Sequence, residues 1–68
     1  MSIVTITTST GETALAHSLR SAEVRVGNLL LDTDAEWAVI WQNGKPIMGA
    51  VAEKPLGWSP IDPTVVLL

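Results

Sequence analysis

Apolar and hydroxyl-bearing side chains alternate from Ile3 to Thr8, and β-branched residues fill nearly every position. Branching at Cβ crowds a helix and suits a pleated strand, so this segment predicts a strand. The pattern changes between Ser9 and Ser21. Ser9 or Thr10 can cap a helix, Glu12 falls in its acid-favouring first turn, and Leu15, Leu19 and Ala22 recur at i, i+4 and i+7. A short amphipathic helix is the expectation, with Arg20 complementing the dipole near its end. About three turns cannot stand alone, so it must dock on a sheet.

From Glu23 to Leu31 the pattern turns β-like again, with Val24 and Val26 on one parity and Arg25 on the other. Gly27-Asn28 interrupts it, either as a tight turn or as a bulge in one longer strand. The bulge is preferred, because the flanking pieces are too short to be separate strands. Asp32-Thr33-Asp34 reads as a polar loop. Trp37 to Gln42 is a strand, Asn43-Gly44 carries the strongest short-range hairpin signal, and Lys45 to Ala52 is the return strand. Pro46 belongs at that strand's start or on an edge, since it cannot donate a ladder hydrogen bond.

Beyond Glu53-Lys54, Pro55, Gly57, Pro60 and Pro63 predict a loop and argue against a helix. Thr64 to Leu68 is β-branched and apolar, which predicts a terminal strand pairing within its own chain or with a neighbour's. The elements sum to a mainly β (α+β) domain. Its expected form is a small curved antiparallel sheet or partly open barrel of four to five strands, with one short helix near the N-terminus. Residues 1–68 read as one domain, without repeats.

Composition sharpens this picture. A chain of 68 residues with no cysteine has no disulfide to reinforce a small core. Yet 47% of its residues are hydrophobic and only 16% are charged. So much apolar side chain on so small a body predicts an interface, and homo-oligomerisation is the simplest substitute for the missing staple. Net charge is −3, and Arg20, Arg25, Lys45 and Lys54 are scattered, which is poor support for binding a phosphate backbone. The opening Met1-Ser-Ile-Val lacks the basic and apolar regions of a secretory signal. No apolar run is long enough for a membrane helix, so a cytoplasmic location is expected.

Candidate chemistry is sparse. His17 is the only histidine, and neither Glu12 nor Ser18 completes a recognisable acid–base motif with it. Asp32, Asp34 and Glu36 begin like a calcium loop, but Trp37 and Asn43 stand where that loop needs Gly and Glu. No cofactor, metal or catalytic residue is assigned. The interface candidates are instead the three tryptophans, Trp37, Trp41 and Trp58, with the apolar terminus Val65, Val66, Leu67 and Leu68. On a strand Trp37, Val39 and Trp41 share one face, while Ala38, Ile40 and Gln42 share the other. Both faces are largely apolar. Trp58, in a Gly-Pro-rich turn, reads either as a lid on the sheet or as a peptide-recognition residue.

The favoured function is a non-catalytic protein-interaction module, a homo-oligomer or accessory subunit of the kind that compact phage genomes carry. Its expected partners are itself or another protein, with no membrane. A small nucleic-acid-binding barrel is the alternative, in which an oligomer gathers the cations and the tryptophans stack on bases. An enzyme with an inter-subunit site is a distant third.

Overall fold

β1 (Val4–Thr8) runs as the alternation requires, with Val4, Ile6 and Thr8 buried and Thr5 and Thr7 half-buried on the other side. The computed structural model describes residues 3–53 and 57–67. β1 is followed by β2 (Thr13–Ala16), α1 (Leu19–Asp32), β3 (Trp37–Gln42), β4 (Lys45–Ala52), β5 (Trp58–Ile61) and α2 (Pro63–Leu67). The strands form one open antiparallel sheet in the order β2-β1-β3-β4-β5.

One face of this sheet carries α1. Ala22, Val26 and Leu30 recur along the helix and meet Val4, Ile6, Ala16, Ala38, Ile40 and Ala50 in a single buried cluster. Alanines at many of these positions let helix and sheet approach closely, and Ile6, Leu30 and Ile40 supply most of the bulk. The helix begins at Ser18, whose Oγ accepts from the Ser21 backbone amide (3.1 Å) while Ser21 Oγ accepts from the Ser18 amide (3.2 Å). This reciprocal capping box satisfies amides that the helix leaves without an internal partner. At the other end Thr33 Oγ1 donates to the Leu29 carbonyl (2.6 Å) and accepts from the Ala35 amide (3.1 Å), turning the chain towards β3.

The opposite face carries α2. Gly49 is the point of closest approach: a Cβ there would lie 3.0 Å from Pro63 Cα and 3.1 Å from the Ile61 carbonyl oxygen. Gly49 pairs with Val39, which is fully buried although it points away from α1. Asp62 Oδ1 accepts from both the amide (3.0 Å) and the hydroxyl (2.8 Å) of Thr64, which fastens the start of this five-residue helix. The same two bonds hold the Asp62 carboxyl below its ordinary pKa, the backbone bond contributing most.

The mainly β class with an open curved antiparallel sheet is what the chain forms, and the β1 and β3–β4 assignments hold. At the hairpin, Asn43 and Gly44 both take positive φ, as a tight two-residue turn demands. Four other expectations need correction. The helix placed at Ser9–Ser21 is a turn, then β2, then only the first residues of α1. Ser9 caps no helix; its Oγ accepts from the Glu36 amide (2.8 Å), which fixes the start of β3 beside β1. Glu23–Leu31 is the body of α1 and not a bulged strand, because burying Ala22, Val26 and Leu30 outweighs the weak β preference of its valines. The bulge lies in β4, where the register shifts between Ile40 and Trp41 and leaves Ile47 unmatched.

The segment after Lys54 departs in the same manner. Its expected loop contains β5, an edge strand whose Pro60 is tolerated because no further strand needs its amide. The expected terminal strand is α2, making two helices where one was expected. Asp62 caps it and Pro63 opens it, a position where a missing N–H costs nothing.

Candidate functional site

The sheet sorts the tryptophans onto opposite sides. Trp58 packs against the buried cluster, and its indole lies so close to α1 that a Cβ on Gly27 would stand 2.9 Å from Nε1. Gly27 therefore has a packing reason to stand in a helix interior that every residue but proline would favour more. Trp58 thus fills space between the sheet and α1. Trp37 and Trp41, half-buried, lie on the outer face with Val39.

Trp41 is held across that face. Its Nε1 donates to Thr7 Oγ1 on β1 (2.9 Å), which lays the ring over the neighbouring strand. Thr5 pairs with Trp41 on one side and with Leu15 on the other. Directly opposed residues in antiparallel strands share a face, so Leu15, Thr5 and Trp41 form one row across the sheet. Leu15 is 61% exposed, and Ile47, on the far side of Trp41, is exposed as well.

On α2, Val65 is 66% exposed, Leu67 is 41% exposed and Val66 is half-buried. Leu68 lies outside the described residues. The structure thus brings Trp37, Trp41, Val65, Val66 and Leu67 to one side of the molecule and Trp58 to the other. Sequence reasoning missed Leu15 and Ile47. Parity along β2 would have placed Leu15 outward had that segment been read as a strand.

Comparison with family models, with curated proteins and with solved structures found no match.

Polar groups offer little convergence. His17 is exposed just before the Ser18 cap, Asp32 is exposed at the end of α1, and Asp34 and Glu36 are exposed between α1 and β3. Among the described residues, no three His, Cys, Asp or Glu side chains come together as a metal site would need. Arg20 and Arg25 sit exposed on α1, across the sheet from Trp37 and Trp41, and Lys45 is exposed beside the hairpin turn. Lys54 lies outside the described residues. Among the described residues no helix is long and apolar enough to cross a membrane.

Proposed function

We propose that the protein is a non-catalytic protein-interaction module, acting as a homo-oligomer or as an accessory subunit in the cytoplasm. The observation that carries this reading is the apolar row on the outer face. Leu15 and Trp41 lie there in one row with Thr5, on the side of the sheet that carries α2 with its exposed Val65 and Leu67. A five-residue helix is too short to cover a five-stranded sheet, and large rings beside exposed aliphatic side chains are what interface centres are made of. The partner that fits is an apolar protein surface, another copy included.

Sedimentation of the intact protein, alone and with Trp41→Lys, tests the proposal. The expected result is a mass above the 7.2 kDa of a single chain, returning to that value in the variant while its circular dichroism is unchanged. A 7.2 kDa species that also fails to bind an apolar dye such as ANS would defeat it.

A further inference from the structure

The two edges of the sheet are built differently. β5 carries Pro60 and runs directly into α2, two features that discourage a further strand from joining. β2, Thr-Ala-Leu-Ala, has neither proline nor charge, and its only strand partner is β1. An edge of this kind presents unpaired backbone donors and acceptors to an incoming strand.

Beside that edge, between β2 and α1, lie two adjoining hollows. The first, of about 330 Å³, is lined among others by Ala16, His17, Val24, Arg25 and Asn28. The second, of about 250 Å³, is lined by Ala14, Arg25, Asn28, Leu29 and Asp32. Arg25 and Asn28 border both, so the two form one groove. Val24, 63% exposed, adds apolar surface to the first hollow.

The groove is polar along its length. The first hollow reaches Ser21 in the first turn of α1 and is lined by Arg25 with no carboxylate. The second sets Asp32 beside Arg25, so an anion is favoured in the first. Asp32 stands at the last turn of α1, the end of a helix where a carboxylate is disfavoured and a cation welcome. β2 runs from the Asp32 end towards the His17 end.

The geometry points to β2 as a docking edge for an extended peptide of a partner protein. That peptide adds antiparallel and carries an acidic side chain two residues before a basic one, both facing α1. Antiparallel addition continues the pattern of every pair in the sheet. It fixes the order of the charges, because such a peptide passes Ala16 before Ala14. The residue opposite Ala16 enters the first hollow and meets Arg25. Opposite Ala14, a lysine lays its methylene stem along Ala14 and Leu29 and brings its ammonium to Asp32. Intervening side chains fall on the outer face, where exposed Leu15 takes an apolar neighbour. A second copy of this chain is the poorer occupant, since its own β2 turns only the methyl groups of Ala14 and Ala16 towards the groove.

The edge shares Leu15 with the tryptophan row but not Trp41, so Trp41→Lys tells the two proposals apart. The probe is the capped heptapeptide Thr-Val-Glu-Val-Lys-Val-Thr, with its twin in which Glu and Lys are exchanged, titrated into the labelled full chain and followed by amide NMR. The expected result is movement of the Thr13–Ala16 amides, about fivefold tighter binding of the first peptide, and inversion of that preference in Arg25→Glu. Trp41→Lys should leave this binding intact. Peptides that leave the β2 amides unmoved, an equal or reversed preference in the wild type, or indifference to Arg25→Glu would each overturn the proposal. So would β2 amides already protected in a dimer without peptide, an outcome that hands the edge to a second copy.

Discussion

The two faces of one sheet have been closed to different degrees. Against α1, fourteen helical residues and a set of alanines shut water out, and Val4, Ile6, Ala22, Val26 and Leu30 are buried almost completely. Against α2, five residues cover Val39 and leave Trp37, Trp41, Leu15 and Ile47 at least partly open. The central strand β3 is apolar on both sides, so there the difference lies in what lies over it. Pairing along the sheet decides where a side chain points, while helix length decides whether it is hidden. In a chain this small one face can be finished, and the other is left for contact.

Truncating one residue on each face tests that contrast most severely. Ile40→Ala, beneath α1, is expected to lower unfolding stability by about 3 kcal/mol, and Val39→Ala, beneath α2, by about 2 kcal/mol, read from urea denaturation. Both side chains are buried, so the difference is the one extra methylene of Ile40. A loss at Val39 well below about 2 kcal/mol would mean that α2 covers it less firmly than α1 covers Ile40. Gly27→Ala sharpens the inner side. The gain in helix propensity, about 1 kcal/mol, is opposed by overpacking against the Trp58 ring, leaving a net loss of about 1 kcal/mol and a changed Trp58 emission. A more stable variant would show that ring to be free to move.

Two smaller effects compare the helix starts. Ser18→Ala removes the capping box of α1 and is expected to cost about 1 kcal/mol by thermal melting. Asp62→Asn should loosen α2 alone, seen as faster amide exchange over residues 64–67 with the core unaffected. The Asp62 pKa is lower in the folded chain than in the unfolded one, so its contribution is complete above the unfolded value. That contribution fades as pH falls through the lowered folded value. Acid should therefore release α2 in the wild type and make little further difference in Asp62→Asn.

How legible this fold is in its sequence varies from segment to segment, for physical reasons. Ile3–Thr8 and the Trp37–Ala52 hairpin are written locally, in β-branched alternation and in an Asn-Gly pair that only one kind of turn accommodates. α1 is not. Its valines and Gly27-Asn28 look like an interrupted strand, and only the sheet beneath supplies a reason to coil. A stripe of Leu19, Ala22, Val26, Leu29 and Leu30, headed by Ser18 and Ser21, was nevertheless present as a helical signal. At the C-terminus, Asp62-Pro63 is a helix start that the β-branched residues after it conceal. For the candidate surfaces, the shared face of Trp37 and Trp41 follows from strand parity alone. The sidedness of Trp58 does not, since it depends on how β5 meets β4, and the groove depends on two elements that sequence alone misplaces.

The order of the strands also governs how the chain assembles. β1 with β2, and β3 with β4 and β5, are each joined by neighbours close in sequence, so pairing within either group closes only short loops. A single seam unites them, where Val4 meets Gln42 and Thr8 meets Ala38, and closing it means drawing together the ends of a loop that contains all of α1. Loop closure of that length carries the largest entropic cost in the sheet. The speed of folding should therefore rest on the β1–β3 join and on the capped helix that shortens the distance to be searched.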